Sequence, residues 1–354
     1  MLRALPHLAG FALPLALVAG ARLGGAWTFL TVVLLLGFLP IVDWLAGLNL
    51  RNAGEEAPDL SENVWFRAIT WLWVPAQIAT IGWAAARASA DGLPILELAG
   101  LVLSTGMIAG TVGITFAHEL IHRPGGFERA LGEMLLATTS YTHFVIEHVF
   151  GHHRRVATRE DPATARAGES VYRFLPRCVA GSVASAWRLE VDRIARRGRR
   201  PWHPSNRMLR YAATQAAMYG AAAWYWGGSG AAFLAAQAVV AFLLLETINY
   251  IEHYGLERRE VAPGRYERVA AAHSWNASHR VSNWLLINLA RHSDHHLAAG
   301  KRYQLLDHLD EAPQLPAGYG AMFIAAWLPP LWRTLMDPRV EASRRRRAAL
   351  EGRR

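Results

Sequence analysis

The chain has 354 residues, 52% of them hydrophobic, 14 tryptophans and a net charge of +9. Its single cysteine, Cys178, excludes an intrachain disulfide, a cysteine-rich metal site and an iron–sulfur cluster, so any redox chemistry here draws electrons from elsewhere. The basic residues are nearly all arginine and cluster beside apolar blocks. That pattern fits cytoplasmic loops and anionic headgroups, and disfavours a nucleic-acid partner.

Several apolar blocks are long enough to cross a bilayer, which takes about 20 residues at about 1.5 Å each. Six spans are predicted, over 5–22, 25–47, 66–88, 93–120, 209–228 and 230–254. Spans one and two are joined by "ARLGG", and spans five and six by "WGGSG" (Trp226 to Gly230), so each pair forms a tight hairpin. The first follows Met-Leu-Arg, but no clear small-residue cleavage site precedes a mature domain, so it reads as a span rather than a leader. With the N-terminus in the cytoplasm, the short outer loops carry only Arg22 and Arg87, and the arginine-rich stretches fall inside.

The expected fold class is all-α and polytopic, in one integrated domain. Spans one to four occupy 1–120, a cytoplasmic His-rich region 121–208, spans five and six 209–254, and a second His-rich region with a basic tail 255–354. Residues 133–150 read as an interfacial or re-entrant helix. In "YGAMFIAAWLPPLWRTLM" the Pro329-Pro330 pair argues against a straight span, so that stretch reads as an interfacial helix pair. The fourth span, at about 42 Å, outruns a hydrocarbon core of about 30 Å, which lets His118 and His122 project from its cytoplasmic end.

The histidines carry the chemistry. "HELIH" places His118 and His122 one turn apart; "EHVFGHH" gives His148 and His152 at the same spacing, with His153 adjacent. "NYIEHYG" puts His253 at the exit of the last span. "RHSDHH" gives His292 and His296 on one face, with His295 beside them. His143, His273 and His279 lie near these groups, whereas His7, His203 and His308 are scattered. A lone histidine is ordinarily a core or surface residue, and a cluster can serve as a proton relay. Repeated one-turn clusters on one membrane face fit neither reading well. A single zinc needs two or three imidazoles with a carboxylate or water, so nine imidazoles suffice for two metals with open positions. Glu119, Glu147, Glu252 and Asp294 stand next to these histidines and are candidates to hold ring N–H groups and fix tautomers.

"HELIHR", "EHVFGHHRRVATREDPATAR", "NYIEHYGL", "HSWN" and "LLINLARHSDHH" resemble the integral-membrane alkane 1-monooxygenases, the bacterial alkane hydroxylases of the wider membrane fatty acid desaturase/hydroxylase group. The similarity runs from the first span to about Leu306. The resemblance implies metal ligands at His118, His122, His148, His152, His153, His253, His292, His295 and His296. It also implies two non-haem irons, O2 as co-substrate, no haem or flavin bound by this chain, and terminal hydroxylation of alkanes in the bacterial inner membrane. Electrons would come from rubredoxin, reduced by an NAD(P)H-dependent rubredoxin reductase. Rubredoxin iron takes four cysteines, so the donor would be a separate protein. "RRRR" (Arg344 to Arg347) matches no motif and reads as a solvated or lipid-facing tail rather than a docking site for an acidic donor.

An alkane has no polar handle and is held by burial alone, at about 0.8 kcal/mol per CH2. Met107, Gly110, Thr111, Ile114 and Thr115 share the face of span four that leads to His118. They are candidates to line a substrate channel, although small residues also favour helix packing. Trp44 and Trp71 are candidate stops for the substrate chain. Three rivals remain. An intramembrane zinc protease reads His118-Glu119-x-x-His122 as its motif but leaves seven histidines unused. A related desaturase or a hydroxylase of methyl-aromatics or fatty acids shares the metal chemistry. A metal transporter would place histidines along the spans, not beyond them.

Overall fold

A computed structural model describes residues 2–90 and 92–351, and nearly all regular structure in it is helical. Four helical runs are long and apolar enough to cross a membrane: α1 (Leu2–Leu23), α2 (Gly25–Ala46), α4 (Ile95–Ile121) and Arg207–His253. The last is two passes, α8 (207–226) and α9 (228–253), because Gly227 takes φ 69° and ψ −172° inside "WGGSG". A positive φ of this kind is open to glycine at little cost. Gly24 (φ 73°) and Gly25 (φ 54°) turn α1 into α2 in the same way. Between them runs α3 (Val64–Ala88), a 25-residue helix capped by the Asn63 side chain, which accepts from Trp65 N at 3.1 Å. The fold is thus an all-α polytopic membrane architecture. Leu15, Ile95 and Trp224 turn outward, and each is more than 70% exposed.

The contact of α4 with α9 sets the position of the site. A Cβ on Gly106 would lie 2.6 Å from Gln237 O, and one on Gly110 2.8 Å from Ala241 O. The two backbones meet because both positions are glycine. His118, near the end of α4, and His253, at the end of α9, are thereby drawn together.

Residues 133–150 are not one helix. α5 (Gly126–Thr138) ends in a turn in which Ser140 adopts φ 54°, and α6 (144–155) starts afresh. α7 (Val171–Ala195) then leads to α8. After α9 the chain forms a short hairpin, β1 (Glu260–Ala262) with β2 (Arg265–Tyr266), followed by α10 (Arg280–Leu285) and α11 (His292–Leu297). The tail is a helix pair, α12 (Tyr319–Ala326) and α13 (Pro329–Glu351). Pro329 and Pro330 open α13, where the missing N–H costs nothing. Trp332, Met336 and Val340 on α13 share a buried cluster with Tyr250 and Tyr254. α13 carries "RRRR" with it. Arg344 donates to Gly255 O and Arg347 to Glu257 O, so these two arginines touch the protein body, while Arg344, Arg345 and Arg346 stay exposed as a solvated segment would.

Candidate metal centre

Nine histidines converge in two groups. His118, His122, His148, His153 and His295 form one, and His152, His253, His292 and His296 the other. Within each group the donor atoms all lie within 4.8 Å of one another. Most of these residues are buried. The contacts run through Nε2: His118 to His148 at 2.7 Å, His148 to His153 at 3.0 Å, and His153 to His295 at 3.1 Å. In the second group His292 Nε2 lies 3.1 Å from His253 and 3.0 Å from His296.

The arrangement fits metal. Nε2 of His148, His153 and His292 each meets two other Nε2 atoms, and one ring nitrogen carries at most one proton. Lone pairs aimed at one point repel unless a cation lies among them. His122 Nε2 and His152 Nε2 are buried with no hydrogen-bond partner, as a ligand nitrogen awaiting a metal would be. Burial, reinforced by the neighbouring rings, holds His148, His153, His292, His295 and His296 well below the usual imidazole range, so they stay neutral donors.

One grouping departs from the helical spacing. His148 and His152, four apart, belong to different groups, and His148 joins His153 instead. The cause is a π-helical turn over Glu147–His152, whose wider winding brings i and i+5 together. α11 is regular by contrast. His292 and His296 share the second group, and His295 crosses to the first. α6 and α11 therefore each serve both groups, and this is what holds the groups side by side.

The neighbouring carboxylates behave differently from the expectation. Glu119 lies 3.5 Å from Arg123, Glu147 lies 2.6 Å from Arg155, and Asp294 lies 2.7 Å from Lys301. No hydrogen bond joins these three to a ligand ring among the described residues. The reason is geometric: a residue adjacent in a helix points about 100° away from its neighbour. Glu252 does reach the site, but at the donor side. Its Oε2 lies 3.2 Å from His292 Nε2, and its Oε1 accepts from Tyr319 OH at 2.7 Å. The acid on a far ring nitrogen is Asp161, whose Oδ2 lies 2.9 Å from His152 Nδ1 and also accepts from Thr164 at 2.6 Å. Asp161 sits in "REDPATAR", nine residues past His152 and beyond the helix, where no periodicity points to it. His143, His273 and His279 stay outside both groups; His273, for example, contacts Glu267 and Arg347.

An apolar cavity of about 830 Å³, its mouth included, ends on His118, His148, His292 and Glu252. Met107, Gly110, Thr111, Ile114 and Thr115 line one wall; leucines of α2 and α9, Phe144, Leu285 and Phe323 make most of the rest, with Asn249, Ser282 and Tyr319 as polar members. The Thr115 hydroxyl is bound to Thr111 O at 2.6 Å, which leaves its methyl free for the cavity. Neither candidate stop is there. Trp44 is 79% exposed on the outside of α2, and Trp71 donates to Glu128.

The sequence profile of the fatty acid desaturase family matches residues 92–326, an interval that contains all nine histidines. Alkane 1-monooxygenase 2 of Pseudomonas aeruginosa is 40% identical over 91% of this chain and 86% of its own length. The chain belongs to the alkane 1-monooxygenases of the fatty acid desaturase family. Alkane 1-monooxygenase 1 of the same organism is 42% identical over 89% of this chain and 84% of its own length. The xylene/toluene monooxygenase hydroxylase component of Pseudomonas putida is 30% identical over 68% of this chain and 64% of its own length. Membership of this family makes the chain a membrane oxidoreductase with a histidine-rich, metal-suited centre.

Proposed function

We propose that this chain is a non-haem di-iron monooxygenase that converts medium- and long-chain n-alkanes to 1-alkanols. The balance is R–CH3 + O2 + 2 e⁻ + 2 H⁺ → R–CH2OH + H2O. A separate rubredoxin, reduced by an NAD(P)H-dependent rubredoxin reductase, supplies the electrons. The observation that carries this reading is the apolar cavity whose closed end is made of both histidine groups.

His118, His122, His148, His153 and His295 would hold one iron, and His152, His253, His292 and His296 the other. Two bound irons would supply the activation of O2. The residues of this chain do the rest. The walls from Met107 to Thr115 and the leucines opposite bind the alkane by burial, at about 0.8 kcal/mol per CH2, and keep water from the reacting end. A cavity lined mainly by apolar side chains selects an apolar chain and points its terminal carbon toward the histidines. Glu252, held by the Tyr319 hydroxyl, stands at that end and can hold a proton near the reacting carbon. The arginine-rich segments support an inner-membrane protein with both termini and the metal centre on the cytoplasmic side.

The likeness to the xylene/toluene hydroxylase component favours one second reading, hydroxylation of a methyl-aromatic. Metal analysis followed by turnover separates the possibilities. Two irons per chain, and 1-alkanols formed from octane to hexadecane with rubredoxin, reductase, NADH and O2, are the expected results. One zinc without iron would sink the di-iron assignment. Oxidation of xylene with no 1-alkanol would select the second reading.

A further inference from the structure

On the histidine side of the bundle lies a second, polar cavity of about 780 Å³, counting its open side. It sits between the first turns of α1, the segment after α2, the start of α3 and the residues just before His292. Arg291 lines it and is 4% exposed. Its Nη atoms donate to Leu306 O at 2.5 Å, Asn49 O at 2.8 Å and Arg51 O at 2.9 Å, and its Nε is buried without a partner. No carboxylate pairs with it among the described residues. The acids that influence it, Asp294 and Asp307, are both bound by Lys301. A buried guanidinium without a counter-charge is costly, and an anion in the cavity would offset that cost.

Two further arginines line this cavity. Arg3 and Arg51 share one carboxylate, Glu56, so three guanidinium groups face a single acid. Gln304, 8% exposed, adds a buried Oε1 without a donor. The cavity is therefore lined by one buried guanidinium without a carboxylate partner, two further cations and the buried amide of Gln304. We propose that it binds a phosphate-bearing anion, with Arg291 beneath it and Arg3 and Arg51 closing over it. Phosphate is matched by this combination because three guanidinium charges outnumber the single carboxylate and their N–H groups favour charged oxygens. The source is a lipid headgroup or free phosphate. The cavity is bordered by the ends of the membrane helices α1 and α2 and by the start of α3, which places it at headgroup level.

The test uses the full-length protein, delipidated in dodecyl maltoside, with thermal unfolding followed against added probe. The probes are phosphatidylglycerol in mixed micelles, phosphatidylcholine as the zwitterionic control, inorganic phosphate, and chloride at matched ionic strength. A saturable rise in melting temperature with phosphatidylglycerol but not phosphatidylcholine identifies a lipid headgroup. The same rise with inorganic phosphate alone identifies the free ion. In the double variant Arg3→Gln, Arg51→Gln the midpoint should move to concentrations at least about tenfold higher. In Glu56→Gln it should move lower, a gain that a merely weakened fold would not produce. No shift beyond the chloride and phosphatidylcholine controls, or equal midpoints in all three proteins, would overturn the proposal.

Discussion

Asp161→Asn tests how the second histidine group is held. Asp161 and His152 are both 1% exposed, and the Oδ2 to Nδ1 distance is 2.9 Å. Thr164 donates to the same carboxylate oxygen, and Ala157 N donates to Thr164 Oγ1 at 2.9 Å. This chain of bonds keeps the proton on Nδ1 and leaves the Nε2 lone pair facing the metal group. An asparagine has the same shape but no charge, and its amide can instead donate to Nδ1, which favours the wrong tautomer. Losing such a partner typically costs about 10- to 100-fold in metal affinity, or about 1.4–2.7 kcal/mol.

The assay is iron per chain after equilibration with a graded chelator, with the melting temperature read in parallel. If the chain binds two irons as proposed, Asp161→Asn should lose about one of them at a chelator concentration that leaves the parent protein full. The ion in the five-histidine group, which Asp161 does not touch, should remain. Thr164→Val should move in the same direction by less. Iron retention and turnover equal to the parent would refute the reasoning. So would simultaneous loss of both ions at an unchanged melting temperature, because the two groups would then not bind independently.

Two other outcomes follow from the geometry. Thr111→Trp, on the cavity wall, should shorten the longest alkane oxidised while leaving iron content unchanged; product profiles from octane to hexadecane read this directly, and an unaltered profile would show that the cavity is not the substrate path. Glu190 binds Arg193 at 2.6 Å and Arg207 at 2.9 Å, and accepts from Arg207 N at 2.6 Å, so it ties α7 to the first residue of α8. Glu190→Gln should destabilise the detergent-solubilised protein by about 2–3 kcal/mol. Burial pushes the Glu190 carboxyl up, but hydrogen bonds from Arg193 and Arg207 outweigh it and bring it down from 4.5 to about 2. A depressed carboxylate contributes its stability above its unfolded value and loses it as the pH falls. The gap in melting temperature between parent and variant should thus be full above about pH 4.5 and close toward about pH 2. A gap independent of pH would show that the charge plays no part.

What the sequence revealed and what it concealed follow from different physics. The nine histidines that the structure gathers are the nine that one-turn spacing and family resemblance single out, because a metal centre needs several donors and histidine is otherwise sparse in this chain. Their division into five and four depends on one π-helical turn at Glu147–His152, which moves a single register and has no compositional signature. Asp161 is invisible for a similar reason. It reaches His152 through a loop in which Ala157 takes φ 59°, so no period connects the two. Glu119, Glu147 and Asp294 misled because adjacency in sequence is not adjacency in space on a helix. Trp44 shows a limit peculiar to membranes. In water an apolar residue marks the inside, but in lipid both faces of a helix are apolar, so Trp44 facing outward and Leu39 lining the cavity are written in the same letters. The inside of such a bundle is marked instead by glycines where backbones touch, as at Gly106 and Gly110, and by polar side chains that must find partners. Those are the features of this sequence that locate its cavity.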